Sequence, residues 1–146
     1  MLTKLRYVGT SVEDLIVIYS LYIRSILEYC SVAYHSSLTQ AQSDKIERVQ
    51  KTCLRVILSD MYVNYEAALE MCNLEKLSTR REERCLKFAL KCVKHETNQK
   101  LFPYNERNLV QNLKNKERFK VNWARTEAYR KSAIPHCQRL LNKHFK

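Results

Sequence analysis

One glycine, Gly9, and two prolines, Pro103 and Pro135, are all that punctuate a chain of 146 residues. Glycine supplies the positive φ of tight turns and hairpins, and proline sets rigid turns, so a chain this poor in both has few places to reverse sharply. Helices joined by short polar breaks are the solution this leaves. The same scarcity excludes two function classes, because a Walker-type phosphate loop and a dinucleotide fingerprint each need several glycines. No cofactor is therefore expected. At 17.4 kDa the chain has room for one compact domain and a tail.

Apolar spacing places the helices. Ser11 followed by Asp14 reads as a helix start, with the acid near the positive end of the helix dipole. From there Leu15, Tyr19, Tyr22, Ile26, Tyr29 and Ala33 form one row, and Ile16, Ile23, Leu27, Cys30 and Tyr34 a second beside it, predicting a wide buried face on a helix running toward Ala33. After the Ser36–Thr39 break, Thr39 caps a second helix through Leu58, with Ile46, Val49, Cys53, Leu54 and Ile57 inward; the two should pack as a hairpin. Asn64 caps a short third helix through Met71. Thr79 and Glu82 form a capping box for a fourth, ending near His95. Residues 98–117 read as a linker, Arg118–Trp123 as an extended segment, and Ser132 with Pro135, Cys137, Leu140 and Leu141 as a short terminal helix. The expected fold class is all-α: a small bundle of about four helices over residues 1–97, then a partly irregular basic linker and tail over 98–146.

The charge is lopsided. Residues 1–75 hold 7 Lys/Arg against 9 Asp/Glu, and residues 76–146 hold 19 against 6, so the net +11 arises entirely in the second half. A basic half of this kind favours polyanions such as nucleic acid. Six cysteines sit in a chain whose opening residues, Met1 to Tyr7, hold no apolar core of signal-peptide length, which predicts a reducing, intracellular setting, nucleus or cytoplasm. Arg24, Glu28 and Lys91 interrupt the apolar patches, so no membrane span is expected.

On the fourth helix Arg80, Arg84, Lys87, Lys91 and Lys94 recur at intervals of four, three, four and three, which brings all five into one stripe about 21 Å long. Most of the rest of that helix is apolar, with Glu83 the one acid beside the stripe. A stripe of a single sign suits a run of backbone phosphates, whereas a merely solvated face usually mixes signs to gain i,i+4 pairs. Arg125, Arg130 and Lys131 in the tail complete the candidate nucleic-acid-binding set. Tyr104, Phe119, Trp123 and Tyr129 are interleaved with cations there and have rings able to stack on bases, although core packing is the commoner role for such residues.

Catalysis lacks a constellation. The adjacent acids Glu13-Asp14 and Glu82-Glu83 both stand at helix starts, where they compensate the dipole, and two-metal chemistry needs carboxylates converging from different elements. Cys85, Cys92 and His95 share one helix side, but no CxxC pair accompanies them, and cysteines at apolar positions are usually small buried hydrophobes. Neither a metal site nor a catalytic residue is expected.

Several segments, taken in order, resemble a known family. These are Thr10-Ser-Val-Glu-Asp-Leu15, the Tyr19–Tyr34 run, the Lys45–Leu58 helix, Tyr65-Glu-Ala-Ala-Leu69, Arg80-Arg-Glu-Glu-Arg-Cys-Leu-Lys-Phe88, and the closing stretch from Ala124 to Pro135 with Arg139-Leu-Leu-Asn142. In this order and spacing they resemble the region after the catalytic palm in the reverse transcriptases of jockey-like non-LTR retrotransposons. The Asp-Asp palm motif, the fingers and the endonuclease of those RNA-directed DNA polymerases have no counterpart here. Ser25 stands where the family commonly has proline, and Tyr34-His35 where a tryptophan often sits. The resemblance implies a thumb-like helical domain and C-terminal tail that hold an RNA/DNA template-primer duplex, with the palm of an intact enzyme as a further partner. The expectation is a grip without the chemistry; the alternative is a small helical module that binds another protein through uncovered apolar faces.

Overall fold

The computed structural model describes residues 1–105 and 117–145. Its helices in chain order are α1 (Leu2–Tyr7), α2 (Val12–Ile18), α3 (Ser25–Leu27), α4 (Ser31–Tyr34), α5 (Gln40–Leu58), α6 (Tyr65–Met71), α7 (Leu77–Lys94), α8 (Glu96–Gln99), α9 (Glu127–Arg130) and α10 (Ala133–His144), with a π-helical segment, Tyr19–Arg24, joining α2 to α3. Among the described residues the fold is all-α, with one isolated bridge between Tyr104 and Phe119. Most of the expected linker, residues 106–116, lies outside the described residues. No single described helix is long and apolar enough to cross a membrane.

Packing divides the chain into two compact units, each drawn from two stretches. Unit 1 comprises Met1–Tyr29 and Leu38–Arg80, and unit 2 comprises Cys30–Ser37 and Arg81–Lys146. The boundary read near residue 97 marks a change of composition, a different property from packing.

In unit 1 the Ser11 hydroxyl accepts the Asp14 N–H at 3.1 Å and opens α2 as expected. The helix does not continue to Ala33. It widens into the π segment, closes at Leu27, and is broken at Cys30, whose φ of 50° lies in the left-handed region. The widening changes which residues face inward. A π turn advances by more than four residues, so side chains four apart stay aligned: Leu15 and Tyr19 are buried, and Ile23 and Leu27 half-buried. Tyr22, Ile26 and Tyr29, expected inside at 3.6 residues per turn, are instead 61%, 75% and 75% exposed.

Thr39 and Gln42 form a reciprocal capping box at the start of α5, whose Cys53, Leu54, Ile57 and Leu58 pack with Leu2, Leu15, Tyr19, Tyr65, Ala68 and Leu69. Val49 is exposed, and the polar Gln50 takes an inward position. Asn64 caps α6 as expected, accepting the Ala67 N–H at 2.8 Å. The start of α7 differs from expectation: the helix begins at Leu77, two residues before the proposed Thr79 cap, and the Glu47 carboxylate of α5 accepts the Leu77 and Ser78 N–H groups at 3.1 and 3.3 Å. An acid from another helix thus does the capping work. Glu47 also accepts the Tyr65 hydroxyl.

Unit 2 packs Cys85, Ala89 and Cys92 of α7 against Phe102, Phe119, Cys137 and Leu141. These small α7 residues, four and three apart, let neighbouring elements come close. The chain around Phe119 is fastened by buried amides of α10. Asn142 accepts the Phe119 N–H at 2.8 Å and donates to its carbonyl at 2.9 Å, while Gln138 accepts the Asn122 N–H at 2.9 Å and donates to the Leu101 carbonyl at 2.8 Å.

Candidate nucleic-acid interface

The two units differ in charge. Read over their ranges, unit 1 holds 9 Lys/Arg against 9 Asp/Glu and is balanced, and unit 2 holds 17 against 6, so the whole net +11 belongs to unit 2. The α7 stripe is not uniform. Arg80, in unit 1, donates to the Glu28 carboxylate at 2.7 and 3.4 Å and lies 3.9 Å from Glu75; Glu28 is only 2% exposed and Arg80 27%. This pair is a structural tie, and it removes Arg80 from a phosphate-facing role. Glu28 carried no sign in the sequence of being Arg80's partner, because the two lie 52 positions apart.

In unit 2, Arg84, Lys87, Lys91 and Lys94 are exposed. Lys87 pairs with Glu83 at 3.3 Å across one helical turn, an exposed pair that an incoming phosphate readily replaces. Lys91 and Lys94 make no ion pair among the described residues. In the tail Arg125 is likewise exposed and without an ion pair among the described residues. Arg130 and Lys131 share Glu127: Arg130 grips both carboxylate oxygens at 2.7 Å and Lys131 lies at 3.4 Å, which pulls the Glu127 carboxyl down to about 2. Among the expected residues, Arg80, Lys87, Arg130 and Lys131 are paired with acids, and Lys91, Lys94 and Arg125 make no ion pair among the described residues.

The aromatic candidates also separate. Phe119 is buried and stacks with Tyr104 at 5.1 Å; the Arg118 guanidinium lies over Tyr104 and Phe145. Tyr129 receives the Asn122 side-chain N–H at 3.4 Å. Trp123 is 82% exposed, with no ring or cation partner among the described residues.

A further set of polar groups in unit 2 lies inward. The rings of His35 and His136 meet edge to face at 5.6 Å, with His35 Nδ1 and His136 Nε2 buried and lacking a hydrogen bond among the described residues. Burial holds both imidazoles below their ordinary range; Arg81 adds to this at His35, and His35 and Arg139 add to it at His136. Cys137 Sγ lies 3.7 Å from the Cys85 carbonyl, and the neighbouring thiol together with burial pushes the Cys137 thiol up. Five of the six cysteines are buried free thiols. Among the described residues no group of three or more His, Cys, Asp or Glu side chains is placed to hold a metal ion. No family model, curated protein or solved structure matches the chain.

Proposed function

We propose that this chain grips nucleic acid through unit 2, without sequence readout, as the thumb and tail of a jockey-like retrotransposon reverse transcriptase would hold a template-primer duplex. The observation that carries the reading is the gathering of the entire net +11 in one compact unit, the other being balanced. A polyanion neutralised by such a surface releases condensed counterions, so affinity depends on phosphate contacts and falls with salt. Lys91, Lys94 and Arg125 are the residues assigned first to those contacts, with Arg84, Lys87, Arg130 and Lys131 in support. Arg80 belongs to unit 1 and stays with Glu28.

The test is the anisotropy of a labelled RNA–DNA hybrid duplex titrated with the full chain over a range of salt. Replacing Lys91, Lys94 and Arg125 by alanine should flatten the log-log slope by up to about 2.7, at roughly 0.9 for each phosphate no longer neutralised, while Lys45→Ala in unit 1 leaves it unchanged. A salt-independent affinity, or a slope untouched by the triple variant, overturns the proposal.

A second reading rests on a different observation. The outward face of the Val12–Leu27 region carries Val17, Leu21, Tyr22 and Ile26, all exposed, followed by Tyr29, and even its Ser25 hydroxyl turns onto the Leu21 and Tyr22 carbonyls. A helix apolar on both sides usually packs on both. This favours a protein partner for unit 1, and a Leu21→Asp/Ile26→Asp variant should abolish its self-association or capture of the partner while leaving the salt slope intact.

A further inference from the structure

We infer that Trp123 is a stacking platform for an unpaired base, so that the nucleic acid held by unit 2 includes a single-stranded stretch. This deepens the proposed grip and rests on it. Trp123 is the only tryptophan in the chain, and at 82% exposure it projects from the one unit that carries excess positive charge. Large aromatic rings usually bury most of their surface, so an indole standing open calls for an occupant.

Its presentation is built. The backbone leading to it is fastened at four successive points: Asn105 donates to the Arg118 carbonyl at 3.0 Å, Asn142 holds both backbone groups of Phe119, the Lys120 N–H reaches the Pro103 carbonyl at 2.9 Å, and Gln138 accepts the Asn122 N–H. Phe119 is anchored in the core at 1% exposure, and Gln138 and Asn142 are themselves buried. The backbone is thus held at Arg118, Phe119, Lys120 and Asn122, up to the residue before Trp123. The ring stands 82% exposed on a fastened approach, and less backbone ordering is left for a ligand to impose.

The neighbouring charges select the occupant. Lys120 and Arg125 are both exposed and lie at most about 11 and 7 Å along the chain from Trp123, so a cation precedes and a cation follows it within reach of one nucleotide's phosphates. A ring flanked by cations fits a base whose own phosphates lie on either side. In a duplex each base face is covered by its neighbours, whereas an unpaired base offers its π-face to the indole. An acidic polypeptide could satisfy the cations but has no planar ring to cover Trp123.

Because Trp123 is the sole tryptophan, its fluorescence reports the contact directly. The full chain is titrated at low salt with oligothymidylate, with a blunt duplex of equal length, with heparin and with polyglutamate. The expected result is strong quenching by oligothymidylate alone in the parent chain and, read from the anisotropy of labelled strands, a drop in single-strand affinity of between about fivefold and a hundredfold in Trp123→Ala, unchanged duplex affinity, and partial retention in Trp123→Phe. Oligothymidylate binding without a fluorescence change, or unaltered in Trp123→Ala, overturns the stacking assignment and leaves the phosphate grip standing. An equal response to polyglutamate also overturns it, in favour of an acidic protein partner. Failure of heparin and both nucleic acids to bind removes the grip and the stacking together. Trp123 is exposed, so both variants should fold, and far-UV circular dichroism confirms it.

Discussion

Replacing Gln50 by leucine tests the account of unit 1 most directly. Gln50 is fully buried on α5 and joins three other segments: its Oε1 accepts the Tyr19 hydroxyl at 2.5 Å, and its Nε2 donates to the Tyr65 hydroxyl at 3.0 Å and to the Glu75 carbonyl at 2.9 Å. Leucine fills similar volume, so the cavity contribution is small and the cost is one of hydrogen bonding. The three partners fare differently. Tyr65 keeps Glu47, and the Glu75 residue lies at the surface, where water replaces the amide. The Tyr19 hydroxyl is the group stranded, at 0% exposure, and a buried donor without a partner costs about 1 to 3 kcal/mol. With a partial penalty at Glu75, the expected destabilisation is about 2 to 4 kcal/mol, or a fall in Tm of roughly 5 to 15 °C. Urea unfolding followed by circular dichroism measures it. Tyr19→Phe should cost about 1 to 2 kcal/mol, because it leaves Gln50 short of a donor, and the double variant should fall short of the sum by about 1 kcal/mol. A Gln50→Leu variant within about 0.5 kcal/mol of the parent, or strictly additive costs, refutes the hub.

Stability of unit 2 should depend on pH through His35 and His136. Both folded-state values lie below the ordinary 6.5, owing first to burial and then to Arg81 at His35 and to His35 and Arg139 at His136, with Glu82 opposing at both. The unfolded chain therefore takes up protons first, so stability is full above about pH 6.5 and declines as the pH falls toward the lowered values; denaturant midpoints that stay level across this range in the parent, or that still fall equally in a His35→Gln/His136→Gln variant, contradict this. Thr39→Ala removes the capping box of α5 and should cost about 1 kcal/mol in the same unfolding assay. Glu28→Ala removes the 2.7 Å carboxylate partner of the Arg80 guanidinium, which is about a quarter exposed, and should cost roughly 1 to 3 kcal/mol, while Lys91→Ala should leave stability within about 0.5 kcal/mol.

Local signals were legible wherever the physics is local. Ser11, Thr39 and Asn64 each cap a helix because a side-chain oxygen needs only the N–H two or three residues on. The cationic stripe from Arg84 to Lys94 follows from helical spacing alone. The π segment was not legible: it shifts the register by a fraction of a turn, and the apolar residues on both sides of Tyr19–Arg24 satisfy either register. Glu47 and Thr79 exchanged roles for a similar reason, since a capping box looks the same in sequence whether or not an acid from another helix arrives first.

By itself the sequence determined that the chain is helical and where its positive charge lies. A backbone with one glycine has few other folds open to it, and charge is a property of residues that folding relocates without changing. Only the tertiary structure decided which cations are open and which are held, by bringing Glu28 to Arg80 across 52 positions and Glu127 to Arg130 and Lys131, while Lys91, Lys94 and Arg125 received no acid among the described residues. The same holds for the aromatic rings. Phe119 and Trp123 read alike in sequence, yet folding buries one against the core and leaves the other 82% exposed, with the amides of Asn142 and Gln138 fastening the backbone at Phe119 and Asn122.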